Sequence, residues 1–156
     1  MTDEELAAAD QWVAARLVVA GESSPPFSFI YDGKPSAELL PNWQQNRRVR
    51  KLDDRRVEIA LTWTDPKSGL VVRCIAITYR DFPAVEWTLY FRNTGQADTL
   101  ILQDIQSLDV TWQRQGEREF LLHHGIGSPA NGDDYGPRET RLGPNETKRI
   151  GAAGGR

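Results

Sequence analysis

The sequence has few of the residues that build covalent or metal-centred chemistry. Among its 156 residues there is one cysteine, Cys74, and there are two histidines. A lone cysteine excludes an intrachain disulfide and cannot build a cysteine-rich zinc site. His123 and His124 are adjacent at the end of a predicted strand, so their rings face opposite ways and do not share a metal by themselves. We therefore expect no cofactor and no metal centre.

The sequence also lacks a large excess of positive or negative charge, and it has no long apolar run. Lys and Arg number 19 against 22 Asp and Glu, a net charge of -3. This balance argues against a nucleic-acid partner, because such binders carry a basic surface. No stretch approaches the ~20 apolar residues of a membrane span. The acidic start, Met-Thr-Asp-Glu-Glu, lacks the basic and apolar regions of a signal peptide. We expect a cytoplasmic protein that binds no membrane.

Motifs that mark common catalytic sites are absent from the sequence. There is no Gly-x-Ser-x-Gly elbow, no Walker loop and no Gly-x-Gly-x-x-Gly before a helix. Asp53–Arg56 reads as a solvated charged turn, and the basic run Arg47–Lys51 as a solvated loop or strand edge. Cys74 lies in an apolar strand and is predicted to be a structural thiol. The residues alone indicate no catalytic constellation.

The first segment is predicted to be a helix. Thr2 and Glu5 have the spacing of a capping box, and the alanines that follow favour helix. The helix should fade around Val18 and end by Gly21. Residues 22–26, Glu-Ser-Ser-Pro-Pro, break it.

Residues 27–150 are predicted to be mainly strands. The segment 55–64 alternates clearly, and so does 84–93. Both faces of 70–80 are apolar, which predicts a central strand covered on both sides. Asp65–Gly69 forms a tight hairpin connection in which the glycine accepts the left-handed conformation.

Further strands complete the predicted fold. Residues 99–112 hold one long strand or two shorter ones, 120–124 hold another, and 140–150 hold two short edge segments. Strands separated by turns, without βαβ alternation, predict a mainly β protein, an antiparallel β-sandwich with one short N-terminal helix. The predicted domains are a helix and linker (1–25), the sandwich (26–150) and a cut linker (151–156).

The candidate ligand-binding residues lie in the loop 125–139, which is rich in Gly, Asn, Asp and Pro. Asp133 and Asp134 can accept hydrogen bonds from sugar hydroxyls, and the adjacent Tyr135 can stack on a sugar ring. An ordinary polar turn is the other interpretation of this segment.

Several motifs occur in a particular order: PFSFIYDGKPS (26–36), TDPKSGL (64–70), DFPAVEWT (81–88), FRNTG (91–95) and the loop 127–137. In this order they resemble the N-terminal domain of melibiase-type enzymes, the α-galactosidase-like group of glycoside hydrolase family 36. The final residues 153–156 are similar to the segment that leads toward the catalytic barrel in that group. The resemblance spans about residues 26–156.

The resemblance implies a β-supersandwich followed by a (β/α)8 barrel. The family's catalytic aspartates lie at the ends of barrel strands, so no catalytic residue carries over to this chain. It also implies that the 127–137 loop, chiefly Asp134 and Tyr135 with Ser128 and Asp133, lines the rim of a sugar pocket. The implied partners are the barrel, an α-linked galactoside or related sugar, and a second copy of the chain in a homo-oligomer.

Two functions are weighed. In the first, the chain is the non-catalytic N-terminal domain of an α-galactosidase-like hydrolase, separated from its barrel and inactive alone. It should then expose a sizeable apolar patch. In the second, the chain is a stand-alone carbohydrate-binding module whose flat platform uses two or more tryptophans, drawn from Trp12, Trp43, Trp63, Trp87 and Trp112. A plain homo-oligomerising β protein is a third possibility.

Overall fold

The fold is mainly antiparallel β with one N-terminal helix, which confirms the predicted fold class. A computed structural model describes residues 2–18, 24–113, 120–128 and 130–151. The chain divides into two compact units, Met1–Thr111 and Trp112–Arg156. We call them the first and the second unit.

The first unit begins with helix α1 (Asp3–Arg16), which has the predicted capping box. Thr2 Oγ1 accepts a hydrogen bond from the Glu5 amide at 3.2 Å, and Glu5 Oε2 accepts one from the Thr2 amide at 2.6 Å. The helix ends earlier than expected, because Leu17 leaves the helical conformation and buries its side chain completely. Part of the predicted end, 19–21, lies outside the described residues.

One sheet of the first unit has three strands in the order β2-β1-β7. Strand β1 is Ser28–Tyr31, β2 is Lys34–Pro35 and β7 is Leu102–Gln106, all antiparallel. The short helix α2 (Ser36–Leu39) and a 3-10 turn (Leu40–Asn42) follow β2.

The other sheet has four antiparallel strands in the order β3-β4-β5-β6. They are β3 (Gln44–Lys51), β4 (Arg56–Thr64), β5 (Leu70–Tyr79) and β6 (Val85–Asn93). The basic run forms the outer part of edge strand β3, one of its two predicted placements. Charged side chains on an edge strand discourage pairing with other chains.

The two sheets of the first unit meet through alternate residues of their strands. Trp63 pairs with Val72, and Val72 pairs with Phe91, so these side chains lie on one face of the four-stranded sheet. The Phe29 ring contacts Phe91 edge to face at a centroid distance of 5.5 Å, and Phe27 contacts Trp63 in the same way at 5.6 Å. This sandwich-like packing makes the core.

The two apolar faces of β5 differ in burial. Val72, Cys74 and Ala76 point into the core and are completely buried. Val71, Ile75 and Ile77, on the other face, are half-buried. The expectation that both faces are covered is therefore confirmed for the Val72 face, which the three-stranded sheet and α1 cover. The opposite face of β5 is only half-buried.

Among the described residues of the second unit there is one antiparallel pair, β8 (Phe120–Gly125) and β9 (Pro137–Leu142). Of the two edge segments predicted within 140–150, the first forms the end of β9, which begins earlier, at Pro137, and pairs with β8. The second is wrong, because residues 143–151 form no strand. The predicted strand over 99–112 shortens to β7. Within β7, Asp104 has a φ of 50°, and the pairing with β1 is irregular between Ser28 and Ile30. Beyond β7, the Asp109 amide donates a hydrogen bond to the Pro26 carbonyl instead of to a strand partner.

The β4–β5 turn is organised by Asp65, which is 8% exposed. Its carboxylate accepts hydrogen bonds from the Lys67 amide (3.1 Å), the Ser68 amide (3.2 Å) and Ser68 Oγ (2.6 Å). Gly69 has a φ of 75°, and a Cβ there would lie 2.8 Å from the Gly95 amide nitrogen. The turn thus requires both the aspartate and the glycine.

We predict that Asp65→Ala lowers the free energy of unfolding by about 1–3 kcal/mol, because three partly buried donors lose their acceptor. Burial alone would raise the pKa of Asp65, but the Ser68 hydroxyl and the two amides hold the pKa below its ordinary value of 3.8. The stabilisation is therefore fully present above that value and disappears as the pH falls through the folded-state pKa.

Urea unfolding of wild type, Asp65→Ala and the exposed control Asp98→Ala across acidic pH tests this prediction. The difference between wild type and Asp65→Ala should shrink at the lowest pH, and Asp98→Ala should match wild type. An unchanged difference at every pH would contradict the proposed role of the carboxylate.

Candidate functional site

The loop between β8 and β9 brings two of the predicted site residues into contact. Ser128 Oγ donates a hydrogen bond to Asp134 Oδ2 at 3.1 Å, and the Asn131 amide donates to Asp134 Oδ1 at 3.1 Å. Both carboxylate oxygens of Asp134 are therefore engaged inside the loop. Asp134 and Ser128 hold the loop in shape, and Asn131 is a member of this network that the sequence reasoning missed.

The backbone of the loop presents the Tyr135 side chain to solvent. The Tyr135 amide donates to the Gly127 carbonyl at 2.8 Å, and the Gly136 amide donates to the Asp133 carbonyl at 2.9 Å. Tyr135 itself has a φ of 56°, in the left-handed region, and its side chain is 75% exposed. A tyrosine held in this conformation with its ring outward is available for contact with a ligand.

Asp133 differs from its neighbour Asp134 because its carboxylate has no hydrogen-bond partner among the described residues. Its amide donates to Asn131 Oδ1 at 2.8 Å, an interaction within the Asn131–Asp133 turn. The residue is exposed next to Tyr135. Of the four predicted residues, Ser128 and Asp134 are therefore engaged in hydrogen bonds within the loop, whereas the Asp133 carboxylate and the Tyr135 side chain are exposed.

The two histidines contact different residues, as their opposite orientations predict. His123 Nδ1 lies 3.2 Å from Glu139 Oε1, across the strand pair in an exposed position. His124 is half-buried, and its Nε2 lies 3.1 Å from Thr140 Oγ1. In the described part of the chain, no cluster of three or more His, Cys, Asp or Glu side chains is arranged to hold a metal ion. Nor does any helix there have the length and apolar character needed to cross a membrane.

A tryptophan platform for sugars is not formed by the described residues. Trp43 and Trp63 are in the core, at 7% and 2% exposure, and Trp12 stacks on Trp87 at 5.6 Å. Trp112 is 58% exposed, and its ring contacts no other tryptophan among the described residues. The aromatic platform that the stand-alone module predicts is therefore not present among the described residues.

Cys74 is excluded as a nucleophile by its surroundings. The side chain is completely buried between the sheets. Burial raises the pKa of the thiol to about 12, so it stays protonated at neutral pH. This agrees with the structural role predicted from its apolar strand.

Two cavities were not predicted from the sequence. The larger, of about 440 Å³, lies in the first unit between the end of α1, the 3-10 turn and the β1 region. A smaller one, of about 270 Å³, lies in the second unit beside His124, Lys148 and Arg149. Their lining residues come from distant parts of each unit, so sequence spacing carries no signal for them.

Comparisons with protein-family models, with curated proteins and with solved structures gave no match.

We predict that Asp134→Ala loosens the β8–β9 loop. The Asn131 amide and the Ser128 hydroxyl both lose their acceptor, so exchange of the Asn131 amide proton should quicken by about tenfold or more. Asp133→Ala is the matched control, because the Asp133 carboxylate makes no bond within the loop. Amide exchange followed by NMR measures both, and equal protection in the two variants would contradict the positioning role of Asp134.

Proposed function

We propose that this chain is the non-catalytic N-terminal β-sandwich domain of an α-galactosidase-like glycoside hydrolase, where it supports a catalytic (β/α)8 barrel. The ordered sequence motifs support this, together with the sandwich-like antiparallel fold. The proposal requires that the domain present an apolar surface to the barrel, since a scaffold that buries little apolar area would not hold a second domain.

The observation that carries the proposal is the lack of a core in the second unit. None of its described residues is buried, and Leu121 and Leu122 on β8 are 45% and 38% exposed. A two-stranded pair is marginally stable in water without another surface to pack on. Strand β8 also carries no Lys, Arg, Asp or Glu, unlike the charged β9. An apolar partner surface would complete this unit.

Apolar side chains of the first unit supply further surface for such packing. Leu100 and Ile101 precede β7 and are 52% and 73% exposed. Ile105 and Leu108, on and after β7, are 46% and 53% exposed. Exposed apolar residues on a monomer surface are normally single and scattered. Here four large ones lie within one nine-residue segment.

We also propose that the β8–β9 loop contributes to the rim of a sugar site. The exposed Tyr135 ring offers a stacking face, and the Asp133 carboxylate accepts hydrogen bonds from hydroxyl groups. The hydrogen bonds of Asp134 preorganise both groups, which lowers the entropic cost of ordering them on a ligand. The same pair is what favours the second candidate, a carbohydrate-binding module that acts alone.

We predict that the chain forms a complex with the separately produced barrel of a melibiase-type α-galactosidase that lacks its own N-terminal domain. Sedimentation velocity should detect it. Leu121→Glu should weaken the complex by about tenfold or more, because a buried apolar contact is replaced by a charge. The control Val49→Glu changes an exposed residue on β3. Absence of a complex, or equal weakening by both variants, would contradict the proposal.

Sugar binding separates the two candidate functions. We expect the chain alone to leave p-nitrophenyl α-galactoside unhydrolysed and to show no saturable NMR shifts with methyl α-galactoside up to about 20 mM, a limit that detects millimolar affinity. With the barrel present, Tyr135→Ala should reduce sugar affinity and Tyr90→Ala should not. Saturable binding by the chain alone, abolished in Tyr135→Ala, would instead establish the stand-alone module.

A further inference from the structure

The cavity of about 440 Å³ in the first unit has the size and lining of a small-molecule site, for which volumes of about 300–1,000 Å³ are usual. Phe27, Leu40 and Trp63 line it, and none of the three is more than 3% exposed to solvent. Polar side chains from α1, β1, β3 and the segment after β7 also line it. An apolar wall with a few polar groups suits a compact ligand that has both an apolar face and polar substituents.

Arg16 is the charged group that best defines what this cavity can hold. The residue is half-buried at the end of α1, and its guanidinium donates to the carbonyls of Ser24 and Thr111 at 3.5 and 3.4 Å. These are long hydrogen bonds. No carboxylate among the described residues lies within ion-pair distance of Arg16. A partly desolvated guanidinium without a counter-ion is suited to a bidentate contact with a carboxylate.

Two further side chains at the cavity have no hydrogen-bond partner among the described residues, the Ser28 hydroxyl and the Asp109 carboxylate. The backbone amide of Asp109 donates a hydrogen bond to the Pro26 carbonyl at 2.8 Å, so its side chain takes no part in that bond. The hydroxyl can donate or accept, and the carboxylate accepts. A ligand that carries hydroxyl groups would use both. The negative charge of Asp109 also disfavours a polyanion such as phosphate.

Two other polar groups of the lining keep part of their hydrogen-bonding capacity. Ser36 Oγ accepts a bond from the Phe29 amide at 3.2 Å, which leaves its proton free to donate. Gln45 donates through Nε2 to the Leu40 carbonyl at 2.7 Å, which leaves its Oε1 as an acceptor. The cavity therefore offers donors and acceptors together with one cation, Arg16, that forms no ion pair with the Asp109 carboxylate of the same lining. This combination matches hydroxyl groups and one carboxylate.

We propose that this cavity binds a small hydroxylated monocarboxylate, of which a sugar acid is the simplest type. The ligand's carboxylate contacts Arg16, its hydroxyl groups contact Ser28 and Asp109, and its carbon face lies on the wall that includes Phe27 and Trp63. The site is separate from the β8–β9 loop, and it does not depend on the proposed role in a hydrolase.

D-galacturonate titrated into the full chain, followed by NMR, tests the proposal. We expect saturable shifts of the Ser28 amide and the Trp63 indole below about 20 mM, a range that detects millimolar affinity. Arg16→Gln should weaken binding by about tenfold or more, because the charge-assisted contact is lost. Arg48→Gln, on exposed edge strand β3, is the matched control and should bind as wild type does. Asp109→Asn keeps the acceptor oxygen and should bind at least as tightly.

Three neutral or simpler probes complete the test. D-galactose, which lacks the carboxylate, and acetate, which lacks the hydroxyl groups, should each bind at least about tenfold more weakly than D-galacturonate. Inorganic phosphate should not compete. The proposal is overturned by equal binding of any of these probes, by an Arg16→Gln variant with native dichroism and unchanged affinity, or by no saturable shift with D-galacturonate.

Discussion

The contact between aromatic rings of the two sheets is the constraint on which the first unit depends. Phe29 meets Phe91 and Phe27 meets Trp63, each edge to face with centroids 5.5 to 5.6 Å apart. Such pairs add about 0.5–1.5 kcal/mol each to the free energy gained by burying the rings. Because strand side chains alternate, placing these rings inward also decides which residues of every strand face the core.

This constraint also positions the elements around the core. Trp12 of α1 stacks on Trp87, which shares the inner face of β6 with Phe91, so the helix is held over that face. The end of α1 then places Arg16 at the larger cavity, next to the apolar wall that includes Phe27 and Trp63. The same packing that stabilises the unit therefore also shapes this cavity.

The second unit follows a different principle, because hydrogen bonds rather than a core organise it. Asp134 accepts bonds from Ser128 and from the Asn131 amide, and these fix a loop whose side chains are otherwise exposed. The apolar residues of β8 remain at the surface. A loop with fixed shape beside uncovered apolar side chains is what a domain that completes another surface requires, and this is why we favour a scaffold over a self-contained binding module.

Local patterns were sufficient for much of the fold. The capping box predicted α1, alternation predicted β4 to β6, and the Asp65–Gly69 turn has the conformation that its residues favour. The strand β3 and the shortened β7 were harder, since strand pairing depends on partners distant in sequence. Asn131 was not predicted for a related reason. The local sequence of a Gly- and Asp-rich loop does not indicate which carboxylate accepts a hydrogen bond from the Asn131 backbone amide.

The sequence by itself determined the fold class, the main helix and strands and the position of the polar loop between β8 and β9, because backbone propensity and side-chain alternation are local properties. Tertiary structure decided which acidic residue of that loop is engaged and which is free, which face of β5 is covered, and where Arg16 lies relative to the aromatic wall. Those outcomes depend on distances between residues far apart in the chain, and they exist only once the sheets have packed.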